Sequence, residues 1–209
     1  MNVVGVLALQ GGFGLHAEVV RRLGYAIREV RDPGDLEGLG ALILPGGEST
    51  TLGLLIGRRG LAEPVPAAIR AGLPVFGTCA GAILLASRIV GSQQFRFGTL
   101  ELTIERNAYG TQLDSFETEL PVDGSLGVAS VPAIFIRAPR INACGPGVEV
   151  LASYAGHPVL VRQGSQVAAT FHPELTASPA IHRWFLETVA GLATPVPGNS
   201  AIMGSYPQP

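Results

Sequence analysis

The stretch Phe76-Gly77-Thr78-Cys79-Ala80-Gly81-Ala82-Ile83-Leu84 sets a cysteine between small residues, where a short apolar strand ends and an apolar helix begins. Such a strand-to-helix bend needs glycine, because side chains at Gly77 and Gly81 would crowd the strand against the helix. The bend projects the Cys79 sulfur from the carboxyl edge of a sheet, where open α/β sheets bind ligands. The segment has the form of a nucleophile elbow. The alternative is a buried structural cysteine, which is how most free cysteines behave.

Outward from this segment, apolar strands alternate with helices through the first half of the chain. Residues 3–9 are a continuous apolar run, suited to a strand covered on both faces, and residues 15–23 show helical spacing. Further strands are predicted at 25–30, 41–44 and 74–76, and further helices at 50–56, 66–71 and 80–90. This alternation predicts an α/β fold with an open, mostly parallel sheet and helices on both faces.

The second half of the chain has a different pattern, in which strands are joined by short turns. Strands are predicted at 100–105, 115–120, 133–137, 148–154, 158–162 and 166–171. They predict an added antiparallel portion, closed by a helix at 179–192. Residues 1–193 are predicted to form a single domain. The Pro-, Gly- and Ser-rich residues 194–209 are predicted to form a flexible C-terminal tail.

Composition excludes several function classes. The chain has 209 residues and is 47% hydrophobic, which is enough to bury a large core. Its net charge of −2 leaves no basic surface for nucleic acid. All 14 basic residues are arginine and lysine is absent. The chain therefore has no lysine for a Schiff base, for a Walker-type phosphate loop or as a general base.

The sequence predicts a cytoplasmic protein without a membrane segment. Two cysteines cannot form the disulfide framework of a small secreted domain, and no basic residue precedes the apolar start of the chain, as a signal peptide requires. The uncharged residues 71–87 are interrupted by glycine and proline, which favours a buried strand, turn and helix. Four scattered histidines lack metal-ligand spacing, so no metal site is predicted.

His172-Pro173-Glu174 supplies candidate partners for the thiol. Pro173 favours an extended conformation at His172, and alternate side chains of an extended chain share a face. His172 is thus predicted to accept the proton of Cys79, while Glu174 fixes the imidazole tautomer and orientation. The alternative is a turn histidine beside a solvated carboxylate or helix-start residue.

A third segment, Pro45-Gly46-Gly47-Glu48-Ser49-Thr50, follows a predicted strand. Consecutive glycines allow a backbone amide to turn toward a substrate carbonyl, as a second oxyanion donor beside the amide of Ala80. The alternative is a helix cap at Ser49 or Thr50. A phosphate-binding P-loop is excluded, since no Gly-Lys-Ser/Thr follows.

Together these segments resemble the class I, triad-type glutamine amidotransferases and, more narrowly, the glutaminase subunits of pyridoxal 5′-phosphate synthase. The resemblance runs from about residue 3 to about residue 190. The closer match rests on GVLALQG at 5–11, LPGGESTT at 44–51, ERNAYG at 105–110, QLDSFE at 112–117, FIRAP at 135–139 and FHPEL at 171–175.

The resemblance implies a fold of the class I amidotransferase, flavodoxin-like type and a glutaminase mechanism without a cofactor. Cys79 would attack the side-chain amide of L-glutamine with His172 as base and Glu174 orienting it. The amides of Gly47 and Ala80 would stabilise the oxyanion. The implied glutamine contacts are Gly47, Glu48, Ser49, Arg106, Ile136 and Arg137. An arginine suits the α-carboxylate, which guanidinium binds bidentately.

The resemblance also implies a partner, a (βα)₈-barrel synthase subunit in a large mixed oligomer. That subunit would combine ribose 5-phosphate, glyceraldehyde 3-phosphate and the delivered ammonia into pyridoxal 5′-phosphate. The absence of lysine agrees with this division, because lysines that hold sugar-phosphate intermediates cannot lie in this chain.

Some residues depart from the family pattern or have no place in it. Residues 12–15 match the family's N-terminal loop poorly, although His16 is in place, and Ala82 stands where a larger apolar residue is commoner. Structural roles are predicted for His157, His182 and Cys144.

Two other functions fit the same fold. One is a glutaminase of another pathway or a cysteine peptidase-like hydrolase, against which the segments around Arg106 and 135–139 argue. The other is a binding module with an inert site, against which the intact Cys, His and Glu set argues.

Overall fold

A computed structural model describes residues 3–106 and 115–195. Its strands are β1 (Val3–Leu7), β2 (Ala26–Val30), β3 (Ala41–Leu44), β4 (Val75–Thr78), β5 (Ala86–Ile89), β6 (Leu100–Glu105), β7 (Ser115–Pro121), β8 (Ser130–Ile136), β9 (Arg140–Cys144), β10 (Glu149–Tyr154), β11 (His157–Gln163) and β12 (Gln166–Ala169). Its α-helices are α1 (Phe13–Arg22), α2 (Ser49–Arg58), α3 (Pro64–Arg70), α4 (Ala80–Leu85) and α5 (Ala180–Trp184).

A seven-stranded sheet forms the centre of the fold. Its strand order is β10, β11, β12, β4, β3, β1, β2. The pairs β1–β2, β1–β3, β3–β4 and β4–β12 are parallel, whereas β10–β11 and β11–β12 are antiparallel. The predicted mostly parallel sheet is confirmed, and β4 and β12 lie side by side although they are distant in the chain.

Helices cover both faces of this sheet, as predicted. Alternate residues of β3 point to opposite faces: Ala41 and Ile43 join one apolar cluster, and Leu42 and Leu44 join the other. The first cluster includes buried residues of α1 and α5, and the second includes those of α2, α3 and α4. The two clusters hold the parallel strands in register and fix the edge where β4 and β12 end.

The predicted antiparallel portion is also present. The strands β10, β11 and β12 form a meander at one side of the central sheet. The strands β7 and β8 pair as a hairpin, and β6 pairs with β9. The hairpin brings Ile136, the last residue of β8, toward the ends of the central strands.

Three details of the sequence prediction are wrong. No strand was predicted at Arg140–Cys144, which forms β9. The helix predicted at 80–90 ends at Leu85, and Ala86–Ile89 forms β5 instead. This segment pairs in parallel with β6, so hydrogen bonds to a distant strand outweigh the apolar helical pattern. The helix predicted at 179–192 is divided into α5 and a π-helical turn, Phe185–Val189.

The predicted domain limits are only partly covered by the structure. Of the tail predicted at 194–209, residues 196–209 lie outside the described residues, and the single domain at 1–193 stays a prediction. Across residues 3–106 and 115–195, none of the helices combines the length and apolarity that crossing a bilayer requires.

Candidate active site

The Cys79 thiol lies at the bend between β4 and α4. Cys79 has φ 48° and ψ −103°, a backbone conformation that non-glycine residues rarely adopt and that costs about 1–3 kcal/mol. A hydrogen bond from the Cys79 amide to the carbonyl of Ala169 on β12, at 2.8 Å, holds this conformation. Close approach of α4 to β3 also fixes the bend, because a Cβ on Gly81 would lie 2.0 Å from the Leu44 carbonyl oxygen.

His172 and Glu174 reach this point because β12 lies next to β4. The chain leaves β12 and enters a short 3-10 helix, Pro173–Leu175, with the His172 amide donating to the carbonyl of Ile134 on β8 at 2.8 Å. His172 Nδ1 lies 2.7 Å from Glu174 Oε1. The predicted imidazole–carboxylate pair is therefore formed.

The imidazole of His172 also contacts the thiol of Cys79. The two side chains lie against Gly46, where a Cβ would stand 2.5 Å from His172 Cε1 and 3.3 Å from Cys79 Cβ. Burial alone would lower the pKa of His172, but the hydrogen bonds and negative charges of Cys79 and Glu174 outweigh it and raise the pKa to about 10. The imidazole of His172 is therefore protonated at neutral pH, beside the thiol of Cys79.

Glu174 is buried behind the imidazole, with 5% of its surface exposed. Burial alone would raise the pKa of its carboxyl group. Interaction with His16, whose Nε2 lies 3.3 Å from Glu174 Oε2, and with His172 instead holds the pKa far below its ordinary value of 4.5. Glu174 is thus ionised.

An open cavity of about 310 Å³ lies in front of Cys79 and His172. All six residues that the resemblance assigned to glutamine contacts line it: Gly47, Glu48, Ser49, Arg106, Ile136 and Arg137. Gln10 and Ile83 line it too, and sequence reasoning missed both as site residues. Ala80 is buried, with 1% of its surface exposed, directly after Cys79. The cavity is at the lower end of the size range of small-molecule sites.

The missed Gln10 orders the glycine loop that follows β3. Its side-chain oxygen accepts a hydrogen bond from the Glu48 amide at 3.0 Å, and a Cβ on Gly47 would lie 2.6 Å from that same oxygen. The neighbouring Gly11 has φ 90°, and a Cβ there would lie 1.9 Å from the Gly46 carbonyl oxygen. The family motif around Gln10 was the available signal, but no chemical pattern marked its side chain.

Arg106 extends into the cavity from the end of β6. Its Nη2 lies 3.1 Å from Glu48 Oε1, and its Nη1 donates to the side-chain oxygen of Gln94. Gln94 also donates to the Ser49 hydroxyl at 3.0 Å. Gln94 thus connects two predicted contacts, and it was missed because it lies in the irregular residues 92–99, without a recognisable motif.

Arg137 has a positive φ of 42°. It is one of three non-glycine residues with positive φ among the described residues, the others being Cys79 and Ala155. Two of the three line the cavity, so backbone strain is concentrated at this site.

The described parts of the chain contain no cluster of three or more His, Cys, Asp or Glu side chains arranged to hold a metal ion. The polar groups that line the cavity include a carboxylate and two guanidinium groups, those of Glu48, Arg106 and Arg137. These groups suit a small zwitterion.

The low pKa of Glu174 predicts that acid destabilises the fold through this residue. The folded carboxyl group stays ionised below pH 4.5, whereas the unfolded chain takes up a proton there. Its contribution to stability is therefore present above pH 4.5 and is lost as the pH falls toward the folded pKa. In urea unfolding at pH values from about 5 down to about 3, the free energy of unfolding of wild type is expected to fall more steeply than that of Glu174→Gln.

The matched control for this experiment is Glu18→Gln, which removes an exposed carboxylate of α1. It is expected to keep the wild-type pH dependence. Equal slopes for wild type and Glu174→Gln would contradict the assignment of an ionised Glu174.

Comparison with known proteins gives a consistent result. The model of the SNO glutamine amidotransferase family matches residues 6–191. The chain is 54% identical over 188 residues to pyridoxal 5′-phosphate synthase subunit PdxT of Thermus thermophilus, covering 89% of this chain and 97% of that protein. It is 52% identical over 184 residues to the protein of the same name from Pelotomaculum thermopropionicum, covering 88% and 93%.

Solved structures agree with these relatives. A crystal structure of a glutamine amidotransferase superposes with a TM-score of 0.85 at 53% identity, covering 90% of this chain and 99% of that chain. A GMP synthase protein from Thermoplasma acidophilum superposes with a TM-score of 0.65 at 20% identity, covering 91% and 94%. The second likeness shows the fold alone. The predicted class I amidotransferase fold is confirmed, and a glutaminase of another pathway or a peptidase-like hydrolase is not favoured.

Proposed function

The chain belongs to the SNO glutamine amidotransferase family, and we propose that Cys79, His172 and Glu174 are its catalytic triad. The chain hydrolyses L-glutamine to L-glutamate and ammonia as the glutaminase subunit of a pyridoxal 5′-phosphate synthase, the name that relatives about half identical to it carry. The residue assignment rests on the two contacts of the His172 ring. The ring lies 2.7 Å from the Glu174 carboxylate, and it also hydrogen-bonds the Cys79 thiol.

The reaction begins with the thiolate–imidazolium pair. The Cys79 sulfur attacks the side-chain carbonyl carbon of glutamine, and the carbonyl electrons move onto oxygen. When the tetrahedral intermediate collapses, the carbon–nitrogen bond breaks and His172 gives its proton to the leaving amine, which departs as ammonia. Water then attacks the thioester with His172 as base, and glutamate and the thiolate are released. Glu174 keeps the imidazole oriented in both steps.

The amides of Gly47 and Ala80 are the proposed oxyanion donors. Gly47 lines the cavity beside Cys79, and Ala80 follows the nucleophile at the start of α4. Gln10 supports this role because it accepts from the Glu48 amide and occupies the space that a Gly47 side chain would need. Each oxyanion donor in such sites contributes about 2.7–4 kcal/mol to catalysis.

Glutamine is proposed to bind with its α-carboxylate at Arg106, beside Glu48, Ser49, Ile136 and Arg137. Arg106 is already aligned by Glu48 and Gln94, so little side-chain ordering is needed on binding. The cavity pairs the cationic Arg106 with the anionic Glu48. This pairing complements the opposite charges of an amino acid's carboxylate and ammonium groups.

Arg106→Gln is expected to raise KM for glutamine about 10-fold to 100-fold with a smaller change in kcat, because a hydrogen-bonded ion pair in the ground state is lost. Wild type should strongly prefer glutamine over L-glutaminamide, which lacks the carboxylate charge. The variant should lose most of this preference. Steady-state glutamate release measures both constants.

Arg70→Gln, at an exposed arginine of α3, is the matched control and should keep both constants. An Arg106→Gln enzyme that still discriminates between the two substrates as wild type does would exclude Arg106 as the carboxylate site.

The partner is proposed to be a (βα)₈-barrel synthase subunit in a large mixed oligomer, and the compartment is proposed to be the cytoplasm. This chain has no lysine to hold a sugar phosphate covalently, so ring synthesis must occur on another subunit. Ammonia released into water is protonated and lost as a nucleophile, which favours direct transfer between subunits. Both cysteines, Cys79 and Cys144, are free thiols, which suits a reducing compartment.

The deciding experiment measures glutamate and ammonia release with and without a synthase subunit from a related organism. Release is expected in the mixture, together with alkylation of Cys79 by a glutamine-derived chloroketone that excess glutamine blocks. Absence of release in the mixture and of glutamine-protected alkylation would overturn the proposal.

A further inference from the structure

Two buried histidines lie behind the triad and are not used by the mechanism above. His16 is on α1 and His182 is on α5, and both are fully buried. His16 Nδ1 lies 2.9 Å from His182 Nε2. On its other side, His16 Nε2 lies 3.0 Å from Thr78 Oγ1 and 3.3 Å from Glu174 Oε2. A continuous series of polar contacts therefore runs from Cys79 through His172, Glu174 and His16 to His182.

The surroundings of these two rings are apolar. Phe76 packs edge-on against His182, with ring centroids 5.7 Å apart, and edge-on against His16 at 6.5 Å. Burying imidazoles here costs solvation free energy that apolar side chains of similar shape would not. Their distinguishing contribution is the polar contact that His16 makes with the carboxylate of Glu174.

We propose that His16 is a positioning residue of the glutaminase reaction, holding the second carboxylate oxygen of Glu174, and that His182 fixes the tautomer of His16. This inference rests on the proposed triad. Glu174 Oε1 is taken by His172, whereas the buried Oε2 has no hydrogen bond of normal geometry within the described residues. The 3.3 Å contact with His16 Nε2 is therefore the interaction that stabilises the charge on this oxygen. His16 does not touch substrate, and it acts only through Glu174.

The proton positions follow from the partners of each nitrogen. Glu174 Oε2 can only accept, so His16 carries its proton on Nε2, between Glu174 and Thr78. His16 Nδ1 then accepts from His182 Nε2–H. His182 Nδ1 has no partner within the described residues, and it is left as a bare acceptor because buried N–H groups without a partner are rare.

The charges around the pair agree with this assignment. Burial is the main cause that lowers the pKa of His182 to about 3, and it outweighs the opposing effect of Glu174. His182 is therefore neutral at physiological pH. The two histidines interact electrostatically with Glu174, which is itself linked to His172 and through it to Cys79. Arg22 on α1 is a further charged group that acts on His182.

The first test compares His16→Leu with His16→Gln, whose amide can donate from nearly the position of Nε2. We expect His16→Leu to lower kcat about 10-fold to 100-fold with little change in KM, and His16→Gln to recover most of the loss.

The alkylation of Cys79 by iodoacetamide gives a second readout, measured in a Cys144→Ser background. As the pH is lowered, the alkylation rate of His16→Leu should begin to fall at a higher pH than that of wild type. The reason is that Glu174 without its donor protonates more easily, and the thiolate–imidazolium pair needs its charge.

His157→Leu, at the start of β11 and not among the residues that line the cavity, is the matched control and should keep the wild-type alkylation profile. The inference would be overturned if His16→Leu only unfolded more easily, while its kcat for glutamine hydrolysis and its pH profile of Cys79 alkylation stayed at the wild-type values. His16 would then have a structural role alone.

A second measurement uses unaltered protein, in case His16→Leu does not fold. Side-chain ¹⁵N NMR of wild type should show His182 neutral with its proton on Nε2, and a proton on Nε2 of His16. A proton on His16 Nδ1 alone would overturn the inference. Failure of the proposed function looks different, because wild type itself would then show neither glutamate release nor glutamine protection of Cys79.

Discussion

Replacing Cys79 with alanine is expected to abolish glutamine hydrolysis, with kcat reduced at least about 10⁴-fold. Removal of the nucleophile from a triad enzyme leaves only the binding and oxyanion contributions, since the other members cannot act without it. Arg106 is held in the cavity by Glu48 and Gln94, not by the sulfur of Cys79. Glutamine should therefore still bind to Cys79→Ala, with an affinity close to the wild-type KM.

Glutamate release in the presence of the synthase subunit measures the loss, and isothermal titration with glutamine measures the retained binding. Cys144→Ser is the matched control, because it removes the other cysteine, on β9, from a position outside the cavity. It should keep full activity. Turnover by Cys79→Ala within 100-fold of wild type would exclude Cys79 as the nucleophile.

The second large effect is expected on folding, from Gly81→Ala. The added methyl group would stand 2.0 Å from the Leu44 carbonyl oxygen and 2.8 Å from its carbonyl carbon, so backbone rather than a flexible side chain must move. Overpacking of this kind costs about 1–3 kcal/mol where side chains can adjust, and more where they cannot. We therefore expect a loss of about 3 kcal/mol or more in the free energy of unfolding, measured in urea.

Gly57→Ala is the matched control in α2. A Cβ there meets nothing within 4 Å, and alanine is favoured over glycine in a helix interior by about 0.5–1 kcal/mol. The same chemical change should thus destabilise at one position and stabilise at the other. A Gly81→Ala protein as stable as wild type would mean that α4 does not approach β3 this closely.

Most of the strands, and the closeness of the proposed triad residues, could be predicted because each rests on a local pattern. The continuous apolar residues of β1 and β3 predict buried parallel strands, and Gly77 and Gly81 predict the close packing at the bend. His172 and Glu174 could be placed at a strand end because Pro173 fixes the extended spacing between them. The six proposed glutamine contacts were predicted from the family resemblance, because no argument from residue chemistry alone distinguishes Arg106 from the other arginines of the chain, which number 14 in all.

The missed features depend on contacts between distant segments. Gln10 and Gln94 are amides without a motif, and their roles arise from hydrogen bonds to residues 38 and 45 positions away. The structural role predicted for His182 could not foresee the path to Glu174, because α1 and α5 meet only in the folded protein. The strand β5 was mistaken for helix because its hydrogen-bond partner, β6, lies beyond an irregular segment.

The backbone conformation at Cys79 lowers the stability of the protein at the position where activity requires a side chain. A positive φ with a Cβ present is unfavourable for every residue except glycine, so serine and alanine at position 79 inherit the same penalty as the native cysteine. Glycine alone would relax it. The inactive Cys79→Gly chain should accordingly be the most heat-resistant of the four, and selection for thermal tolerance without selection for ammonia production would erode the nucleophile first.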